Sequence, residues 1–329
     1  MKTAVKKCII FGMFFLYPAL FACNEEWKDE QYEKTVSFVK SGYTEVYLKY
    51  REAGGLAPYK IPLVVSGSTG NDENVEVTVG LDPDTMPDLN YGRFRDRDDL
   101  YFKQLDPQYY ELSSTTVSIP AGQDVGLLNI DFKLQGLDLV DKYILPLQIT
   151  QTSAYIPSPR KHYKKTMMRI IPFNDYSGNY QPTGGNITFE GAESSQTITF
   201  EDGRETRVVD EKTVFFYAGF IDEQARDRAT YKIYMRFNED STLTLNAEHS
   251  SEISFEPVTG TGNKYSVQTE IDPTTPYLER RYTAISLDYR FTDISNPQYP
   301  MRYRITGTMT MERKRNTLIP EEDQQFIFE

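Results

Sequence analysis

The chain has 329 residues, a length for about two domains, and carries a formal charge of −12 with two cysteines and two histidines. An acidic body is a poor partner for nucleic acid or anionic lipid, both of which need a cationic surface. Two cysteines cannot make a disulfide framework, and 24 Tyr and 19 Phe against one Trp favour strands over helices.

The first predicted element is a leader, residues 1–22. It opens on Lys2, Lys6 and Lys7 and then runs uncharged and apolar from Cys8 to Ala22. That run is shorter than the about 20 residues a membrane span needs and fits the apolar region of a secretory signal. Leu20-Phe21-Ala22-Cys23 resembles the bacterial lipobox, with a Leu three residues and a small residue one residue before the cysteine. The resemblance implies that the Cys23 thiol is diacylated and that the leader is cut away, taking Cys8 with it. Residues 23–34, "CNEEWKDEQYEK", then read as an acidic tether. Acidic residues directly behind the cysteine resemble the surface-export signal of Bacteroidetes-type lipoproteins. The expected address is the outer membrane, facing the cell exterior, with the membrane touched through the acyl anchor only. Trp27 lies in this tether, so it is not expected to be a binding platform.

Residues 35–173 show period-two alternation in "TVSFV", "EVYLKY", "YKIPLVVSG", "VEVTVGL", "YYELSSTTVSIPAG", "VGLLNIDFKL", "YILPLQIT" and "KTMMRII". Such alternation predicts antiparallel sheets with one wet face, and this many short strands suits an immunoglobulin-like β-sandwich. The longest connection, "LDPDTMPDLNYGRFRDRDDLYFKQLDPQYY", is expected to be a solvated loop bearing Asp82, Asn90, Tyr91, Arg93 and Asp96. A Pro-rich basic stretch and the strand "TMMRIIPF" precede a boundary placed near Asn174.

Residues 174–329 alternate again. "TYKIYMRF" puts Tyr231, Ile233, Met235 and Phe237 on one face, and "AISLDYRF" does the same with Ile285, Leu287, Tyr289 and Phe291. "YRITGTMTM" adds Tyr303, Ile305, Met309 and Met311. Meandering strands separated by Gly, Asn and Asp turns predict an antiparallel barrel or a second sandwich. "PTGGN", Pro182–Asn186, reads as a turn, and "NEDST", Asn238–Thr242, as a hairpin turn. The whole chain past the leader is therefore expected to be all-β.

"IPLVVSG", "YYELSSTTVSIPAGQ" and "LDLVDKYILPLQI" stand in the order and spacing of a domain of unknown function. That domain begins many Bacteroidetes outer-membrane lipoproteins and also some of their surface endoglycosidases. The resemblance covers roughly Thr35 to Phe173 and implies a non-catalytic immunoglobulin-like sandwich, with Tyr109, Tyr110 and Leu145-Pro146-Leu147 as fold determinants. "SGNYQ" and "YRITGTMTMERK" resemble the lipocalin-like C-terminal domain that accompanies it. Relatives of this kind belong to polysaccharide-utilisation systems, beside outer-membrane transporters.

Chemistry finds few handholds. His162 and His249 fall in different halves, and no HExxH, CxxC, EF-hand loop, GxSxG elbow, P-loop or dinucleotide fingerprint occurs. No metal or cofactor is expected. Neither half has the about 250 residues of a catalytic (β/α)8 barrel, which leaves a small β-fold glycosidase as the one enzymatic alternative. Binding remains. Sugars stack on aromatic rings and hydrogen-bond to Asn, Asp, Gln and Arg. "DPTTPYLERRY" offers Tyr277, Arg280 and Arg281, and "RFTDISNPQYPMRYR" offers Asp293, Asn296, Gln298, Tyr299 and Arg302. Consecutive connections of a meander lie at opposite ends, so these are two patches. The sequence reading is a non-catalytic surface lipoprotein that binds polysaccharide or oligosaccharide, with an outer-membrane transporter complex as a further expected partner. One alternative is a structural or adhesion subunit that takes a partner protein by strand addition; another is a small-molecule binder using the barrel mouth.

Overall fold

The computed structural model describes residues 29–50, 56–191, 197–260, 262–320 and 324. The leader, Cys8, Cys23 and Trp27 lie outside the described residues.

Among the described residues the N-terminal strands are β1 (Thr35–Phe38), β2 (Gly42–Lys49), β3 (Leu56–Ser66), β4 (Val75–Leu81), β5 (Lys103–Gln104) and β6 (Tyr110–Leu112). They continue as β7 (Thr116–Ile119), β8 (Val125–Lys133), β9 (Tyr143–Thr152), β10 (Ile156–Pro157) and β11 (Lys165–Phe173). One sheet runs β10-β1-β3-β8-β6 and the other β2-β11-β9-β4-β7, with β5 beside β9. The period of two decides which side chains meet between them. Phe38, Leu63, Ile130 and Phe132 of one sheet and Val77, Leu145, Leu147 and Ile170 of the other are all buried in one core. This is the sandwich that the alternation predicts, closed without disulfides by two apolar faces.

The connection expected to be a loop holds a helix, α1 (Thr85–Phe94). Its Met86, Leu89 and Phe94 pack with Phe102, Ile144 and Met167 and cover the outer face of the second sheet. Asp82 is buried, accepting from the Thr85 hydroxyl at 2.6 Å and from Lys165 at 3.0 Å. Asn90, also buried, exchanges two hydrogen bonds with the Phe102 backbone, at 2.9 and 2.8 Å. Arg93 lies 3.8 Å from the centre of the Tyr43 ring. These residues hold the lid in place, so the connection is not a solvated loop.

The C-terminal strands are β12 (Gly178–Glu190), β13 (Thr197–Thr199), β14 (Arg204–Val208), β15 (Thr213–Tyr217) and β16 (Lys232–Phe237). Then come β17 (Leu243–Ala247), β18 (Glu256–Pro257), β19 (Lys264–Ile271), β20 (Leu278–Asp293) and β21 (Met301–Asn316). They form one antiparallel sheet in the order β17-β16-β15-β14-β12-β21-β20-β18, with β19 on β20 and β13 on β12. The sheet curls until its ends nearly meet. Leu243 N–H donates to the Asn263 carbonyl at 2.8 Å, and Tyr265 N–H to the Ser241 carbonyl at 2.9 Å. The fold is all-β, a sandwich followed by a nearly closed barrel.

"PTGGN" is not a turn but part of β12, with a register shift between Pro182 and Gly184. The reason is a close approach of backbones. A Cβ on Gly185 would lie 2.7 Å from the Thr306 carbonyl oxygen and 2.8 Å from Gly307 Cα, so the strand tolerates only glycine there. "NEDST" does form the β16–β17 hairpin turn, with Asn238 N–H on the Thr242 carbonyl at 3.0 Å.

The barrel interior is filled. Tyr180, Tyr231, Tyr289, Phe237 and Phe291 are fully buried, and Tyr176 stacks on Phe237 with ring centres 4.0 Å apart. The void bounded by Phe216, Leu287 and Tyr289 measures about 10 Å³, room for about one water. The barrel-mouth reading is corrected on this ground: the aromatic side chains that the alternation pointed inward occupy the space a small molecule would need.

Charged residues fasten the two halves together. Arg228 Nη2 donates to the Asp99 carbonyl at 2.7 Å, and Lys232 Nζ reaches the Asp138 carboxylate at 2.8 Å. Asp175 sits between Lys49 at 3.2 Å and Arg281 at 3.1 Å. Arg228 and Lys232 are buried, so their hydrogen bonds are shielded from water. Arg228→Ala is expected to lower stability by about 1.5–3 kcal/mol, read as a lower urea midpoint. An unchanged midpoint would mean that the halves do not depend on this contact.

Residues 30–34, the end of the segment read in the sequence as an acidic tether, are fastened to the sandwich. The Glu30 carboxylate accepts from Ser68 N–H at 2.6 Å, the Ser68 hydroxyl at 2.5 Å, Thr69 N–H at 3.1 Å and the Thr69 hydroxyl at 2.7 Å. Lys34 bonds the Gly70 carbonyl at 2.8 Å and the Asp72 carboxylate at 2.6 Å. The Ser68 and Thr69 donors hold the Glu30 carboxyl well below the usual carboxylate range. Lys34, with Tyr155, brings Asp72 down to about 2. Both folded values lie below the unfolded ones. Their stabilisation is therefore complete above about pH 4.5 and is lost as pH falls towards 2. Amide protection in residues 30–34, relative to the intrinsic exchange rate at each pH, is expected to fall through that window, and Glu30→Gln to show lower protection already at neutral pH. Protection that stays constant down to pH about 2 would contradict the clamp.

Candidate functional site

The structure keeps the two predicted patches apart. They lie at opposite ends of β20, whose 16 residues extend about 50 Å. Several of their side chains are already committed. Arg280, on β20, is paired with Asp272 at 2.5 Å and Glu312 at 3.4 Å. Arg281, also on β20, holds Asp175. Asp293 ends β20 as a buried acceptor for the Tyr231 hydroxyl at 3.0 Å and Ser295 N–H at 2.9 Å. The Asn296 side chain accepts from Gln298 N–H at 3.1 Å inside a tight turn. Arg302, on β21, binds Glu256 at 2.9 Å and the Ser254 carbonyl at 3.0 Å. Tyr277 and Tyr299 stay accessible, at 44% and 70% exposure. The arginines and Asp293 thus belong to strand ends and ion pairs, because β20 and β21 extend further into both connections than the turn residues suggest.

A better concavity lies where sandwich and barrel meet. It encloses about 730 Å³, within the usual range for a ligand site. On the sandwich side β2 presents Glu45 and Tyr47, which share a face at i and i+2. On the barrel side β12 presents Asn179 and Gln181, and β14 presents Glu205 and Arg207, by the same rule. Phe220 lines it as well and is 43% exposed. Its ring is backed edge-on by Tyr303 at 5.3 Å and at a tilt by Phe291 at 6.4 Å. Gly219 places it there with φ of 58°, and a Cβ at that position would strike the Phe291 ring at 2.5 Å.

Charges in the cleft are mostly paired. Glu45 accepts from the Tyr43 and Tyr47 hydroxyls, each at 3.0 Å, and from Arg169 at 2.8 Å. Burial pushes the Glu45 carboxyl up, but these donors outweigh it and hold it below the usual range. The Tyr47 hydroxyl is pushed up to about 12 by burial and by Glu45. Arg207 spans Glu205 at 2.9 Å and Glu223 at 2.7 Å, and Lys142 adds a contact to Glu223 at 2.9 Å. Burial raises the Glu223 carboxyl, but Lys142 and Arg207 keep it below the usual range. Arg204 has another kind of neighbour: its guanidinium donates to the Gly203 and Gly219 carbonyls and lies 4.6 Å from the centre of the Phe200 ring. Burial lowers its pKa. Among the described residues no group of His, Cys, Asp and Glu could hold a metal ion. What the cleft offers is hydrogen bonding by amides and carboxylates beside an accessible ring.

The sequence reading passed over these residues. Asn179, Gln181, Glu205 and Arg207 sit on strand faces that alternation marks as wet. Nothing local shows that the wet faces of two halves come together. The nearest sequence signal is "YAGF", an aromatic residue directly after a glycine at a strand end.

Comparisons with known proteins place the chain. A model described as a domain of unknown function (DUF4973) matches residues 27–153, and a second, described only as "-like, C-terminal", matches residues 164–310. A protein of unknown function from Bacteroides ovatus is 38% identical with a TM-score of 0.80, over 89% of this chain and 99% of that one. The chain belongs to this family. A multidomain protein including DUF1735, also from Bacteroides ovatus, is 37% identical with a TM-score of 0.77, over 90% of this chain and 100% of that one. A family member from Bacteroides thetaiotaomicron, described as an auxiliary nutrient binding protein, is 35% identical with a TM-score of 0.76, over 87% of this chain and 95% of that one. No curated protein matches.

Proposed function

We propose that the chain is a non-catalytic accessory lipoprotein of the outer membrane that holds glycan at the cell exterior, in the cleft between sandwich and barrel. The observation that carries this reading is the cleft itself, where an accessible Phe220 ring stands among Asn179, Gln181 and Asp202. Rings and planar amides of this kind suit a ligand with alternating apolar and hydroxylated faces. The likeness to an auxiliary nutrient binding protein supports the same class of role. Acylation at Cys23 would supply the anchor. Residues 24–29 separate it from the Glu30 clamp, so at about 3.5 Å per residue the body would stand within about 25 Å of the bilayer. An outer-membrane transporter would be the receiver of what is captured.

Native electrophoresis through gels containing polysaccharide tests the reading. The chain is expected to be retarded by at least one glycan, less so as Gln181→Ala, and unchanged as Tyr277→Ala or Tyr299→Ala. Retention lost with Tyr277 or Tyr299 but intact in Gln181→Ala would move the site to the barrel ends.

A further inference from the structure

Acidic side chains outnumber basic ones in the cleft, and the basic ones are occupied. Arg169 is held by Glu45, Arg207 by Glu205 and Glu223, Lys142 by Glu223, and Arg204 by two backbone carbonyls. Asp202 and Asp222 line the same space. Asp222 accepts from Gln224 N–H at 2.7 Å, and neither has an ion-pair partner among the described residues. We infer that the cleft takes a neutral, hydroxyl-rich oligosaccharide and rejects glycans bearing carboxylate, sulfate or phosphate. This rests on the reading of the cleft as a glycan site.

The physical argument has two halves. Arg204 is buried with its donors on the Gly203 and Gly219 carbonyls, and an anionic ligand would have to draw Arg169, Arg207 or Lys142 away from a carboxylate that already holds it. The stranded carboxylate would then be left without its partner in a partly dehydrated space. The ligand would also meet Asp202 and Asp222, which no cation pairs directly among the described residues, and like charges in apposition exclude partners. A neutral sugar meets no such barrier. Its hydroxyls donate to carboxylates in charge-assisted hydrogen bonds, which are stronger than neutral ones. Asn179 and Gln181 each supply both a donor and an acceptor, which suits a vicinal pair of hydroxyls. The Phe220 ring then covers the C–H face of the sugar without asking for charge.

Gel retardation of the full chain in detergent decides it, with neutral polysaccharides (galactomannan, xyloglucan, arabinoxylan) run beside anionic ones (polygalacturonate, alginate, dextran sulfate). Wild type, Phe220→Ala and Gln181→Ala are compared, with matching melting profiles as the control for folding. The expected result is retardation by at least one neutral glycan and by no anionic one, equal at low and high salt and weakened in both variants. Retardation by an anionic glycan that both variants weaken would overturn the inference and leave the cleft as the site. Retardation equal in wild type and variants, or none in any gel, would overturn the cleft reading itself, and the inference with it.

Discussion

Phe291→Ala is expected to destabilise the barrel by about 3–5 kcal/mol and to lower its melting temperature by on the order of 10 °C. The ring is fully buried on the inner face of β20. Its centre lies 5.8 Å from Tyr303 and 6.3 Å from each of Tyr231 and Tyr289. Those neighbours cannot collapse into the gap. The Tyr231 hydroxyl is tied to Asp293 and to Ile294 N–H, each at 3.0 Å, and the Tyr289 hydroxyl accepts from Gly219 N–H at 3.0 Å. The truncation therefore leaves a cavity as well as losing burial. Thermal unfolding followed by near-ultraviolet circular dichroism reads the effect, with Tyr299→Ala, 70% exposed, as a control expected to stay within about 0.5 kcal/mol. A loss below about 1 kcal/mol would mean that this aromatic cluster is not the barrel's core.

Phe220→Ala is expected to weaken glycan binding by about 2 kcal/mol, the cost of removing an aromatic anchor from a site, or about 30-fold in Kd. The ring has two roles that must be separated. Its inner edge packs on Tyr303 and Phe291, while its outer face is free to meet a ligand. Phe220→Leu keeps much of the packing and loses the flat face. It should therefore melt near the wild type and still bind poorly. Isothermal titration of the three proteins with one oligosaccharide makes the comparison. Binding by Phe220→Leu equal to wild type would show that the ring supports the wall rather than the sugar.

How much of this could be read from the residues varies by element. Alternation pointed Tyr231, Ile233, Met235 and Phe237 inward, and all four are buried, as are Ile285, Leu287, Tyr289 and Phe291. A two-residue period survives any tertiary context in which one face is dry. It misleads where both faces are covered. Lys232 stood on the face expected to be wet, yet it is buried between the halves, on Asp138. Every residue of β15 is buried for the same reason. Helix α1 was missed because its apolar residues, Met86, Leu89 and Phe94, make too short a stripe to show the 3.6 period. Asp293 and Arg302 looked like loop residues with binding chemistry. Their chemistry is real but already committed, Asp293 as a buried turn acceptor and Arg302 as an ion pair with Glu256. The cleft was illegible because each of its walls is an ordinary polar strand face, and only docking makes them a site.

Hydroxyl-radical footprinting with and without a saturating neutral oligosaccharide tests the placement of the site most directly. Phe220, Tyr277 and Tyr299 are all accessible in the free chain and so are all oxidised. The cleft account predicts that ligand protects Phe220 and leaves Tyr277 and Tyr299 unchanged. Protection of either tyrosine with Phe220 still fully reactive would contradict it.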